Sequence, residues 1–186
     1  MKTIRLFSLE LGRLLRSRLT WLVILLTAVS PAAGLILYQP AYSDTMLSLY
    51  LANPALAGGV GGGILFALLT IFELDRTGRS RVDMLMDAAV SPHTMAWVRL
   101  LALLAGAVLA TALTMAVWLP ISVGLIGSVF TGTDYVLSYL LFLGLALPLS
   151  ILAAASAYQI TRRVDLSIVL FAVFAALRLT VWAGNW

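Results

Sequence analysis

Apolar positions along the chain come in long blocks, set apart by short polar breaks, and within a block no polar face recurs at either helical or strand period. A helix crosses about 30 Å of hydrocarbon with roughly 20 apolar residues. The blocks accordingly predict an all-α, polytopic membrane fold with spans at about 19–38, 56–72, 97–119, 135–158 and 166–183. Gln39–Thr45 is a polar break, Met46–Leu51 reads as interfacial, and Asn53-Pro54 interrupts the apolar run before the second span. The block from Met95 to Phe130 is about twice the length that a bilayer needs. A break is expected at Pro120, where the ring removes a backbone donor, leaving Ile121–Phe130 as a re-entrant or interfacial segment too short to cross. Pro148 is expected to kink the fourth span.

Residues 1–18 show a different pattern. Ile4, Phe7, Leu11, Leu14 and Leu15 recur at helical spacing, with Lys2, Arg5, Arg13 and Arg16 on the other side. This predicts an interfacial amphipathic helix lying among the lipid headgroups; the plainer reading is a basic flank that orients the first span. A basic start followed by small residues at Ser30–Gly34 also fits a signal peptide, but the run from Leu19 to Tyr38 has the length of a membrane span.

Composition agrees with the blocks. Of 186 residues 62% are hydrophobic and 11% charged, against about 25% charged in soluble domains. The net charge of +4 does not indicate nucleic acid, because the cations sit in breaks between apolar runs rather than on one clustered face. The cations orient the chain instead. Lys2, Arg5, Arg13, Arg16 and Arg18, then Arg76, Arg79, Arg81 and Arg99, then Arg162 and Arg163 all fall on one side, while the opposite breaks carry Asp44 and Asp134. The expectation is a plasma-membrane protein with the N-terminus and the loop 73–96 in the cytoplasm.

Chemistry is sparse. There is no cysteine, hence no thiolate nucleophile, and the single histidine, His93, has no matching nucleophile near it in the sequence. Gly58, Gly59, Gly62 and Gly63 form two overlapping GxxxG spacings, which in lipid let helix backbones approach. They lack the Lys-Ser/Thr that a phosphate loop needs. Arg178 lies about 12 residues, or 18 Å, into the last span; it either snorkels to the outer headgroups or contacts an anionic substrate or lipid.

The polar stretch from Glu73 to Arg99 concentrates what remains. Glu73, Asp75, Asp83 and Asp87 could ligate a divalent ion, but Arg76, Arg79, Arg81 and Arg99 compete for the same oxygens, so salt bridges are the expectation and no metal site is assigned. Val82–Val90 reads as a short helix with Asp83 and Asp87 on one face, and Ser91 as the N-cap of the next helix with Pro92 in its first turn.

Glu73, Gly78, Met84-Leu85, Val90-Ser91 and Arg99 together resemble the cytoplasmic loop of the ABC-2 type transporter permeases. That loop carries an acidic start, a glycine, a leucine pair, a Val-Ser turn and a basic residue where the next span begins. The basic N-terminal helix is similar to the family's interfacial connecting helix. The chain departs from the pattern in two places: Ala89 stands where the family has a proline, and a sixth span would begin where this sequence stops, which would make it a shortened or incomplete form. The resemblance implies a permease subunit paired with a like or unlike second permease. Separate ATP-binding subunits would hold ATP and Mg, since this chain has no Walker A sequence. Docking would fall on Glu73, Arg76, Arg81, Asp83, Met84, Leu85 and Asp87, with Val82–Val90 as the coupling helix, and the apolar interior suggests a hydrophobic or lipid-like cargo. The other readings are a membrane scaffold or assembly factor without a pathway, and an intramembrane enzyme.

Overall fold

The computed structural model describes residues 2–36, 48–79 and 91–183, and among these the chain is helical throughout, joined by short turns. Helix α1 is Lys2–Arg16, α2 Arg18–Val29 and α3 Ala32–Ile36. A π-helical turn at Ser48–Ala52 leads into α4, Asn53–Arg79. Helix α5 is Pro92–Ile126, ending in a 3-10 turn at Gly127–Val129. Helix α6, Gly132–Tyr139, runs through a second π-helical turn, Leu140–Gly144, into α7, Leu145–Thr161, and α8 is Val164–Ala183.

Among the described residues four stretches are long and apolar enough to cross a membrane: Arg18–Ile36, Tyr50–Arg76, His93–Val129 and Gly132–Thr161. The apolar part of α8 whose side chains are described, Val164–Leu177, is shorter. The second, third and fourth are longer than their apolar blocks suggested, and the first agrees with its block as far as it is described, to Ile36. Asn53-Pro54 does not interrupt the second span: the π-helical turn Ser48–Ala52 runs directly into α4, and the turn falls where Pro54 has no N–H to offer the residues before it.

The third span corrects the expectation most clearly. Helix α5 does not break at Pro120 but continues to Ile126, 35 residues or about 52 Å in all, so it is longer than the hydrocarbon is thick. A proline is tolerated inside a membrane helix when neighbouring groups satisfy the loosened backbone. Pro120 deprives the Ala116 carbonyl of its helical N–H, and next to it the Met115 carbonyl accepts from the Tyr135 hydroxyl of α6, which ties the loosened turn to a second helix. What ends α5 is Gly127, at φ 64°, a backbone conformation that side-chain-bearing residues rarely adopt. Its start matches expectation: Ser91 accepts a hydrogen bond from the Thr94 amide at 3.3 Å.

Proline also sets the break between α2 and α3. Pro31 has no N–H to offer the Thr27 carbonyl, and the Ser30 hydroxyl donates to it at 2.8 Å instead. The neighbouring Ala28 carbonyl accepts from Trp118 Nε1 of α5, also at 2.8 Å and in a buried setting. Trp118→Phe loses this bond and part of a buried indole, so we expect the chain to lose about 1–3 kcal/mol of stability against denaturant in mild detergent. The same change at the exposed Trp97 should cost nothing measurable, and equal losses would contradict the assignment.

Helix α4 is the axis of the bundle. One face buries Phe66 and Leu69 with Ile24 of α2, Leu103 and Ala107 of α5, and Leu147 of α7. Another packs Ala67 and Ile71 against Ala154 of α7 and Phe171 of α8. The outside is apolar too: Val108, Leu141, Leu149 and Val169 are all more than half exposed, the surface a lipid phase would cover.

Candidate functional site

At the end of the bundle that carries the N-terminus, α1 lies across the start of α5 and the end of α4, and three helices bring charged side chains together. Glu10 and Arg13 stand three apart on α1, so they share a face. Leu14 beside them is buried, and its Cδ2 lies where a Cβ on Gly106 of α5 would touch it, at 3.4 Å. That contact seats the charged face of α1 inward.

Arg13 is the hub. Its Nε donates to Glu10 Oε2 at 2.8 Å and its Nη2 to Glu73 Oε2 at 2.8 Å, so one guanidinium ties α1 to α4 through two carboxylates. Arg76 Nη1 lies 3.8 Å from the other oxygen of Glu73, and Arg99 Nε of α5 lies 3.7 Å from the other oxygen of Glu10. The order in space is Arg76, Glu73, Arg13, Glu10, Arg99, alternating in sign along its length. Three guanidiniums face two carboxylates, leaving one net positive charge.

Burial makes this more than a surface network. The Glu73 and Glu10 side chains are 7% and 11% exposed and that of Arg99 is 17% exposed, whereas exposed ion pairs contribute little. Burial by itself would lower the basicity of Arg13, but hydrogen bonds to Glu10 and Glu73 outweigh it and raise its pKa above the usual arginine value. Arg99 Nε is buried without a hydrogen-bond partner, its link to Glu10 being a through-space ion pair. Next to the cluster, the Tyr158 hydroxyl donates to Asp75 Oδ1 at 3.3 Å and joins α7 to the end of α4. Tyr158→Phe should cost about 1 kcal/mol or less, measured by detergent unfolding, because the bond is long and only partly buried.

Of the docking residues read from the sequence, Glu73 and Arg76 lie in this cluster, as does Arg99. Arg81, Asp83, Met84, Leu85 and Asp87, and with them the Val82–Val90 helix, lie outside the described residues. Arg178 falls within α8, but its side chain is outside the description. Glu10 was not singled out by the sequence reading. The signal was present in outline: it is the only acidic residue before Asp44, on a helix otherwise rich in cations.

The glycines of α4 divide between two neighbours. A Cβ on Gly58 would lie 3.0 Å from the Pro31 ring, and one on Gly62 would lie 2.7 Å from Thr27 Cγ2 of α2. On the other side, a Cβ on Gly59 would stand 2.3 Å from the Phe142 carbonyl oxygen in the second π-helical turn, and one on Gly63 would stand 2.6 Å from Ser150 Oγ of α7.

Two cavities open between the helices. One of about 300 Å³ between α4, α7 and α8 is lined by Val60, Ile64, Phe142, Leu149 and Phe174. The other, about 340 Å³, lies between α4, α5 and α7 near the charged end and mixes apolar walls with Thr70, His93, Ser156 and Gln159. Among the described residues no three His, Asp or Glu side chains converge to hold a metal ion.

The fold and the site together define a class: an all-helical protein whose four long apolar stretches can each cross a membrane, with a buried charge cluster at the end where its N-terminal helix docks. The chain matches no protein-family model, no curated protein and no solved structure.

Proposed function

We propose that the chain is the transmembrane permease subunit of an ABC-type transporter. In this reading it lies in the plasma membrane with its N-terminus in the cytoplasm and moves a hydrophobic or lipid-like substrate. ATP is hydrolysed on separate subunits that dock on the loop 73–99, and a second permease completes the pathway. The observation that carries the proposal is the clamp around that loop. Glu73 opens that stretch on α4 and Arg99 closes it on α5, and both are held by one face of α1, through Arg13 and Glu10.

The clamp has a mechanical consequence. A force on residues 80–90 reaches α4 and α5 directly along the backbone, and the cluster obliges α1 to move with them. Helix α4 packs on α2, α5, α7 and α8, so its displacement propagates into the bundle. The cavity between α4, α5 and α7 borders this moving part and offers the mixed lining that an amphipathic cargo needs. Five crossings and an interfacial α1 belong to the same reading. Helix α8 has 20 residues, about 30 Å, which is enough to cross, and α1 ends two residues before the first span starts at Arg18. The bias of Lys and Arg toward this end favours the cytoplasmic orientation.

The docking element has a direct test. Asp83→Lys with Asp87→Lys should lower recovery of an ATP-binding subunit with the tagged chain on the order of tenfold, with membrane insertion unchanged. Undiminished recovery would remove the loop from that role.

A further inference from the structure

On the outer side of the charge cluster, away from the buried carboxylates, α1 and the end of α4 enclose a groove of about 670 Å³. Its walls are Ser8, Gly12, Arg13, Arg16, Ser17 and Arg76. The guanidinium of Arg13 is committed to Glu10 and Glu73. The other two are not held in this way. Arg76 is 65% exposed, and its contact with Glu73, at 3.8 Å, is beyond hydrogen-bond length. Arg16 is exposed and forms no ion pair among the described residues. Gly12 leaves the floor open, since a Cβ there would meet nothing within 4 Å. Ser17, the N-cap residue of α2, makes no capping bond with its side chain, so its hydroxyl is available to the groove.

The two arginines and the serine hydroxyls favour an anion, Gly12 leaves room for it, and the position of the groove says which kind. Arg16 and Ser17 immediately precede the stretch Arg18–Ile36, and Arg76 ends the stretch Tyr50–Arg76, so the groove sits where one candidate span begins and another ends. That is headgroup depth. Leu9 also lines the groove and is 70% exposed, an apolar flank suited to the glycerol and upper acyl region rather than to water.

We propose that this groove binds the headgroup phosphate of an anionic phospholipid in the leaflet that the N-terminus faces, held between Arg16 and Arg76 with the Ser8 and Ser17 hydroxyls as further donors. The inference does not depend on transport: it concerns what anchors α1, and it would hold for a scaffold equally.

The test uses the full chain in nanodiscs of phosphatidylcholine containing phosphatidylglycerol as the minority lipid, with retained lipid measured by native mass spectrometry. The wild-type chain should retain phosphatidylglycerol preferentially. Arg16→Gln with Arg76→Gln should lower that preference about tenfold or more, at roughly fivefold per arginine, and the corresponding Lys pair should keep most of it. Arg162→Gln with Arg163→Gln, on another loop, should leave it unchanged. The proposal is overturned if the Arg16/Arg76 pair of Gln variants keeps the wild-type preference, or if the Arg162/Arg163 pair loses as much. Displacement of the lipid by millimolar inorganic phosphate also overturns it, since the groove would then serve a soluble anion. If the double variant fails to fold, Arg16→Gln alone, which breaks no described ion pair, should still lose about fivefold, and no change would be equally fatal.

Discussion

Arg13→Met is expected to destabilise the chain by about 2–3 kcal/mol, less than for a fully buried pair because the Arg13 side chain is itself 36% exposed and water screens part of the loss, yet the largest effect of any single substitution in the charge cluster. Among the described residues the Arg13 guanidinium is hydrogen-bonded to both Glu10 and Glu73, and its removal takes a close cation from two carboxylates neither of which is more than about a tenth exposed. Arg99 and Arg76 cannot take over without moving, since they stand 3.7 and 3.8 Å away. Unfolding of the purified chain in mild detergent, followed by helical signal against denaturant, reads the loss. Removing the stranded charges as well, with Glu10→Gln and Glu73→Gln, should restore most of it, because replacing a whole buried ion cluster by neutral groups costs far less than breaking it. If Arg13→Met costs less than about 1 kcal/mol, the cluster behaves as an exposed salt bridge and does not clamp α1.

The second large effect is expected at Gly59. A methyl group there would stand 2.3 Å from the Phe142 carbonyl oxygen and 3.0 Å from its carbon. Both are backbone atoms in a π-helical turn, so no side-chain rotation relieves the overlap and α4 must separate from α7. We expect Gly59→Ala to cost about 1–3 kcal/mol and Gly59→Leu more. Gly34→Ala should behave in the same way, with the Asn53 carbonyl oxygen at 2.4 Å. Gly63→Ala should be milder, because its nearest neighbour is the hydroxyl of Ser150, which can turn aside. Gly12→Ala and Gly124→Ala are the controls: nothing lies within 4 Å of either, and both sit in helices where alanine is favoured by roughly 1 kcal/mol. A Gly59→Ala chain as stable as those controls would show that the close approach of α4 to the turn does not matter.

What could be read from the residues and what could not divides along physical lines. Length and hydropathy are local properties, so the four long apolar stretches were legible, as was the Ser91 cap, which needs only a hydroxyl and an amide three residues on. The continuation of α5 through Pro120 was not. Whether a proline breaks a helix depends on who satisfies its neighbours, and the Tyr135 hydroxyl comes from a different helix. The π-helical turn at Leu140–Gly144 has a cause in hindsight, since Pro148 offers no N–H to Gly144, yet the residues would equally have allowed a kink.

The charge cluster shows the same limit more sharply. Glu73 was singled out because it ends an apolar run, but Glu10 and Glu73 are separated by most of two spans in sequence. Only the seating of Leu14 against α5 turns Glu10 and Arg13 inward. Read as a helical wheel, α1 presents Arg13 on its polar side. In the fold that side is partly buried, because the helix docks through a charged contact, while Ile4, on its apolar side, is 74% exposed.

In the function proposed above, this chain couples ATP hydrolysis on separate subunits to movement across the membrane. The measurement that tests it most directly is isolation of the tagged full-length chain from its native membrane after mild cross-linking, followed by identification of its partners and assay of ATP hydrolysis. An ATP-binding subunit should be recovered in near-stoichiometric amount, with hydrolysis that falls when Asp83 and Asp87 are reversed to lysine. A complex that contains no ATP-binding subunit and hydrolyses no ATP would contradict it.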